Sequence, residues 1–325
     1  MKSIWRFVIL AGLLFAPAAS LAPAQAQDKY PSRPIRLLVS FPPGGPLDVQ
    51  ARLYAQRMSA VFGSMVVDNK PGAGGTLAGR EAARAPADGY TLLFGSSASL
   101  AIGPALYKDI GYDPVKSFVP VAMFSSVPYV MIGAVNAPFK TVKELLAYTK
   151  TNPATVNFGV PNGAPPHMLA EMFKASTGAD IQVVPYRGAS TLITDMLAGR
   201  IHGGFETTSV MFGHLHDGKI RGLAVVRESR IPEIADVPTL LESGVTGVEA
   251  SSWSGVLAPA GTPPEIIARL HAETVAALRS PEVFDKLKLM AAEPKVMSSA
   301  EFGAFVASEN QRIGAIMRKA DIKGQ

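Results

Sequence analysis

Two Gly/Pro loops decide how this chain is read: Phe41-Pro42-Pro43-Gly44-Gly45-Pro46-Leu47-Asp48 and Gly159-Val160-Pro161-Asn162-Gly163-Ala164-Pro165-Pro166-His167. The first follows the apolar run Ile35 to Val39 and the second the shorter run Val156 to Phe158. After the first loop, Leu47, Ala51, Tyr54, Met58 and Val61 recur at spacings of three and four, which places one apolar stripe on a helix that Gly63 can end. Pro46 suits the first turn of that helix, where its missing N–H costs nothing. Each loop is therefore read as a strand-to-helix turn. The first turn of any helix leaves backbone N–H groups without acceptors and carries a partial positive charge, so the two loops are a matched pair of seats for an anion.

Working outward, β-rich runs fall at 35–40, 65–68, 91–95, 119–124, 129–134, 156–158, 182–186, 202–205, 223–226 and 254–258, with helical patterns at 76–85, 141–150, 168–176, 190–198, 263–280 and 300–319. That alternation is the pattern of an α/β fold with largely parallel strands. A single sheet of ten strands is one solution. The wide separation of the two loops favours two smaller mixed sheets with flanking helices, facing each other across a cleft. The second lobe is expected over 128–249, with 27–127 and 250–325 forming the first. The chain then crosses twice between lobes, a double-crossover hinge.

Residues 1–26 read as an export signal: Lys2 and Arg6 in front, an apolar stretch from Phe7 to Phe15, and Ala24-Gln25-Ala26 at the cleavage position. A membrane-spanning helix needs about 20 apolar residues, and Pro17 and Pro23 interrupt the segment before that. The 325-residue chain has no cysteine, so neither a disulfide nor a lipid-bearing cysteine is available, and stability must come from core burial. Its formal charge of +5 falls by the two leader charges, 5 − 2 = +3. Basic residues form no dense run interleaved with aromatics, which argues against nucleic acid, while a modest positive field favours an anionic ligand.

Several motifs approach catalytic patterns and miss them. Gly72-Ala73-Gly74-Gly75-Thr76-Leu77 lacks the final glycine of a dinucleotide fingerprint. Gly95-Ser96-Ser97-Ala98-Ser99 ends on serine where a nucleophile elbow needs glycine, and His202, His214, His216 and His271 offer no recognisable acid-oriented partner. The hydroxyls of Ser96 and Ser97 fit ligand hydrogen bonds better. His214 and His216, two apart on a helix, point to different faces and make a poor metal pair. Asp48 reads either as a helix cap or as a ligand contact, and Arg187 either as a carboxylate clamp or as a solvated rim group. His167 is read as a ligand-side donor or a helix-start residue, and Trp253 as a cleft wall or a packing residue between lobes.

The motifs Tyr30-Pro31-Ser32-Arg33-Pro34-Ile35, Pro43-Gly44-Gly45 with Asp48, Asn69-Lys70-Pro71-Gly72-Ala73-Gly74-Gly75 and Ala87-Asp88-Gly89-Tyr90-Thr91-Leu92-Leu93 occur in that order. Pro185-Tyr186-Arg187-Gly188, Asp236-Val237-Pro238-Thr239 and Leu257-Ala258-Pro259-Ala260-Gly261-Thr262-Pro263 follow. In this series the chain resembles the periplasmic receptors of tripartite tricarboxylate transporters, the Bug receptors. The resemblance implies a two-lobed α/β periplasmic binding protein of the Venus-flytrap type, without catalysis or cofactor. It implies a monomer that captures a small organic carboxylate in the periplasm and passes it to membrane transporter subunits. A sensor kinase as the partner is the alternative within binding, and a serine hydrolase at 96–99 the alternative from another class. The ligand contacts it implies are Phe41, Gly44, Gly45, Leu47, Asp48, Ser96, Ser97, Asn162, Gly163, Ala164, His167, Arg187 and Glu206.

Against that family pattern, Pro46-Leu47 replaces a small residue followed by threonine, Ala164 replaces a serine, Glu206 an aspartate and Gly103 an asparagine. Fewer donors make a second or third charge harder to bury, since a carboxylate loses several kcal/mol of hydration and each charge-assisted bond returns about 1.5–3 kcal/mol. The expected ligand has one carboxylate or more and an apolar or aromatic body lying near Phe41, Leu47, Pro165 and Pro166; citrate is disfavoured.

Overall fold

The computed structural model describes residues 30–161, 165–186, 188–248 and 250–319. The leader-like segment 1–26 and four of the implied contacts, Asn162, Gly163, Ala164 and Arg187, lie outside these. The chain runs β1 (Ile35–Val39), α1 (Pro46–Phe62), β2 (Met65–Asn69), α2 (Thr76–Ala83) and β3 (Thr91–Ser96). A π-helical turn over Ala98–Ile102 leads into the one-turn helix α3 (Gly103–Leu106) and then β4 (Phe118–Ala134). The middle section holds α4 (Val142–Thr151), β5 (Val156–Pro161), α5 (Pro165–Thr177), β6 (Ile181–Tyr186), α6 (Ala189–Leu197), β7 (Gly203–Thr207), α7 (Thr208–His216) and β8 (Ile220–Val226). The chain returns through β9 (Ser251–Pro259), α8 (Pro264–Leu278), α9 (Pro281–Leu289), β10 (Glu293–Pro294) and α10 (Ser299–Lys319).

β1 pairs in parallel with β2 and β3, β3 runs antiparallel to β9, and β9 antiparallel to β4. On the other side β4 is antiparallel to β7 and β8, while β5 is parallel to β6 and β7. Both halves are thus mixed, as expected, but they are not separate sheets. The runs 119–124 and 129–134 belong to one 17-residue strand that serves both halves. Pro128 hid its continuity, because proline cannot donate to a ladder and normally marks a strand end or bulge. Pro120 sits where the β9 register shifts, and Pro128 sits at the handover: its pairing with Ser251 is the last to β9, and Tyr129 begins the pairing with Thr207 and Val226.

Each half has its own core. Ile35, Leu37 and Val39 pack with Tyr54, Phe94, Phe124 and Leu270, and Leu38 on the opposite face packs with Leu93, Leu257 and Phe302. Burial on both faces explains why Leu37, Leu38 and Val39 of β1 are consecutive apolar residues. Phe158, Phe173 and Phe205 centre the second core, with Phe205 edge-on to both partners. A Cβ on Gly204 would stand 2.4 Å from the Gly159 carbonyl oxygen, so only glycine lets β7 approach β5 there. α10 joins the halves: Phe302 and Val306 pack beside Trp253, whereas Ile313 and Met317 belong to the second core with Phe139 and Val245. Each such buried aliphatic or aromatic side chain contributes about 1.5–3 kcal/mol. Among the described residues, no helix is long and apolar enough to cross a membrane.

Candidate ligand cavity

The carboxyl ends of the strands and the helices that follow them enclose a cavity of about 790 Å³. The first half contributes Phe41, Gly45, Pro46, Leu47, Gln50, Ser96 and Ser97. The paired strands β4 and β9 form the floor with Ser125, Val127, Tyr129, Ser252 and Ser254. Pro161, Pro165, Pro166, Glu206, Thr207 and Ser209 face them from the second half.

The first loop is built so that helix α1 opens onto this space. Gly44 takes φ +82°, a conformation that side chains resist, and Gly45 is the N-cap, with Pro46 opening the helix. The N–H groups of Leu47 and Asp48 then fall in the helix's first turn, where no intrahelical acceptor exists. Asp48 itself looks away from the cavity. Its carboxylate accepts the Gly44 N–H, the Arg52 Nε and the Asn69 Nδ2, each at 2.8 Å. Burial alone pushes this acid up, but bonds from Arg52, Gly44 and Asn69 outweigh it and hold the carboxyl below its ordinary range. Asp48 and Gly44 therefore hold the loop, and neither lines the cavity.

Ser96 and Ser97 enter where β3 turns into the π-helical segment. Ser99 ties that turn, its hydroxyl accepting the Ser96 N–H at 3.1 Å and donating to the Ser96 carbonyl at 3.2 Å. Ser96 Oγ is buried with no protein partner and its residue lines the cavity, whereas the Trp253 ring lies on the other face of the sheet, edge-on to Phe302 and Phe305. A buried donor without an acceptor costs about 1–3 kcal/mol, so native proteins rarely keep one that has no use.

At the opposite wall, Thr207 is the N-cap of α7. Its N–H and hydroxyl donate to Glu206 Oε1 at 2.8 and 3.3 Å, and Ser209 donates to the Thr207 hydroxyl at 3.2 Å. Burial raises the Glu206 pKa, and these Thr207 bonds only partly offset it. Helix α5 opens on Pro165 and Pro166, which line the wall but have no N–H to give. His167 follows them and does not line the cavity; its half-buried position lowers its pKa against the opposing pull of Glu171.

Gln50 was not singled out from sequence. It is 4% exposed, and its Oε1 accepts the hydroxyls of Ser125 and Ser254, both at 2.8 Å. It thereby ties α1 to both floor strands beneath the cavity. Its position three residues after Leu47 puts it on the loop-facing side of α1, which is the signal that a helical projection carries. Ser125, Val127, Tyr129, Ser252 and Ser254 could not be found that way, because the continuity of β4 was itself hidden; Trp253, singled out as a cleft wall or a packing residue, packs on Phe302 and Phe305.

Among the described lining residues there is no lysine, arginine or histidine, and Glu206 is the one carboxylate. Polar hydrogen therefore comes from helix starts at α1 and α7 and from hydroxyls, around a middle formed by Phe41, Leu47, Val127 and Pro165. Such a cavity suits an anionic head on an apolar body. Among the described residues, no group of three or more His, Cys, Asp or Glu side chains is placed to hold a metal.

Comparison with known proteins agrees with this geometry. The sequence pattern described as tripartite tricarboxylate transporter family receptor matches residues 50–322. Protein BugT of Bordetella pertussis is 36% identical over 321 residues, covering 98% of each chain. A protein of R. palustris solved with adipate is 35% identical with a TM-score of 0.78, over 90% of this chain and 99% of that one. MatC from Rhodopseudomonas palustris, solved with bound malate, is 27% identical with a TM-score of 0.74, over 88% and 99%.

Proposed function

This chain belongs to the tripartite tricarboxylate transporter family of receptors, and from that premise we propose that it captures a small organic carboxylate with an apolar body and delivers it to membrane transporter subunits. The observation that carries the reading is the unpartnered buried Ser96 hydroxyl in a cavity that two helix starts also face. It gains an acceptor when a carboxylate enters. The adipate and malate bound by relatives of this fold support the same ligand class. The apolar middle of the cavity supports a ligand nearer to adipate than to a hydroxylated tricarboxylate. The family role supports binding without conversion, action in the periplasm and no cofactor.

In this reading 27–127 and 250–325 form one lobe and 128–249 the other, hinged where β4 and β9 cross, with the end of α10 laid across the junction. Gly44, Asp48 and His167 act by shaping the walls, and the family resemblance supports Asn162, Gly163, Ala164 and Arg187 as further ligand contacts. Calorimetric titration of the leader-free protein with adipate, a C6 monoacid, malate and citrate tests the proposal. Adipate or the monoacid is expected to bind with recovery of unchanged ligand. Tight citrate binding with no response to either C6 acid overturns the ligand class, and conversion of any compound overturns the receptor role.

A further inference from the structure

The strand alternation of β4 puts Ser125, Val127 and Tyr129 on the cavity floor and turns Ser126 and Pro128 to the opposite side. There they line a second cleft of about 440 Å³, behind the hinge, with Arg227 and Glu228 from one lobe and Glu293 and Lys295 from the other. Arg227, just after β8, is ion-paired across this cleft to Glu293 of β10. Nearby Glu233 pairs with Lys288 of α9 at 3.5 Å, again from one lobe to the other. Among the described residues these are the two ion pairs that join the lobes; Arg227 and Glu293 line the rear cleft, and none of the four residues lines the ligand cavity.

Two bodies that pivot about a shared strand cannot narrow both of its sides at once. Narrowing the 790 Å³ cavity onto a small acid draws the front together and parts the groups at the rear. We propose that Arg227–Glu293 and Glu233–Lys288 form a rear latch that holds the lobes apart at the front and sets ligand affinity without touching ligand. The inference rests on the reading of this chain as a receptor whose lobes close. Ligand must break the latch to be enclosed, so the measured dissociation constant is the intrinsic one divided by the fraction of closable molecules. Arg227 and Glu293 have side chains only 25% and 33% exposed, against 61% for Lys288, so the first pair is the stronger. Glu293 is not stranded by the loss of Arg227, because Lys295 Nζ lies 3.2 Å from it.

The absence of cysteine from the chain makes a direct test available. Dyes on Val49→Cys in α1 and Ala175→Cys in α5, both exposed and on helices that start at the cavity, report the front opening. In ligand-free protein, Arg227→Ala with Lys288→Ala is expected to shift the distance distribution shorter. Adipate affinity should rise about 1.5- to 5-fold per pair removed, the worth of partly exposed ion pairs. The charge exchange Arg227→Glu with Glu293→Arg should restore wild-type distance and affinity. Unchanged or longer ligand-free distances, or weaker adipate binding in the folded variant, overturn the latch. A shortened ligand-free distance in a protein whose wild type ignores adipate leaves the latch standing and removes the carboxylate reading instead.

Discussion

Gln50 joins the stability of the hinge floor to the charge of the cavity, and two substitutions separate these roles. Gln50→Leu keeps the volume but removes the acceptor of two buried hydroxyls. Ser125 and Ser254 can still bond each other at 3.1 Å, so one of the two lost bonds leaves a donor unmet. Two neutral bonds at about 1 kcal/mol each give a loss of about 2 kcal/mol. For a chain of this size that lowers Tm by about 4 °C. Gln50→Glu keeps an acceptor for both serines but places a second acid in a cavity that already contains Glu206. A ligand carboxylate about 6 Å away at an effective dielectric constant near 20 is repelled by about 3 kcal/mol, or about 100-fold in affinity. Burial raises the pKa of the new acid, so the penalty is full at about pH 8 and fades as pH falls. Differential scanning fluorimetry and calorimetric titration with adipate measure both effects. A Gln50→Leu protein with wild-type Tm, or a Gln50→Glu protein that binds adipate normally at about pH 8, refutes the reasoning.

Glu206 gives the wild-type cavity its own pH dependence. Because its folded pKa is raised, it is neutral further up the pH scale than an ordinary glutamate, and it costs stability as pH rises through that window. Affinity for an organic acid should therefore increase as pH falls from about 8 toward about 5, and Glu206→Gln should flatten the profile near its low-pH level; a variant profile as steep as that of wild type assigns the dependence elsewhere. Ser96→Ala removes a buried hydroxyl that has no protein partner. Thermal stability should hold or rise slightly, while adipate binding weakens about fivefold, the worth of one ordinary hydrogen bond. Unaltered affinity by calorimetry means the Ser96 hydroxyl is not a ligand donor.

Much of the architecture was legible because local signals agreed. The buried run Ile35 to Val39, the capping glycines and the three–four spacing from Leu47 to Val61 all place β1 and α1 correctly to within a residue. Legibility failed where a local rule met a tertiary exception. Pro128 falls in the gap between two expected strands, yet a change of partner strand accommodates it within β4. Helix α9 was missed because it is short and its cap, Ser280 accepting the Val283 N–H, directly follows the preceding helix. In the cavity, the loop residues Phe41, Gly45 and Leu47 and the serines after β3 were visible as motifs. Gln50, Ser125, Ser252 and Ser254 are polar residues without a motif, and they meet only because distant strands pair. Asp48 shows the converse: a conspicuous acid beside a loop whose hydrogen bonds are all spent on that loop.

The pairing of β3 with β9 also governs when this molecule can fold. Leu93 lies opposite Leu257, a separation of 257 − 93 = 164 residues. During synthesis the edge of β3 thus waits unpaired while the whole middle section is made, and the first hydrophobic core lacks Val256, Ala258 and Leu270 until then. Contacts of such long range form slowly, since the loop must close before any pairing rewards it. No chain cut before Ser251 contains a complete first sheet. The nascent polypeptide consequently stays threadable through a narrow pore until its synthesis is nearly finished, and the strand that unites the two halves also delays the moment at which either becomes whole.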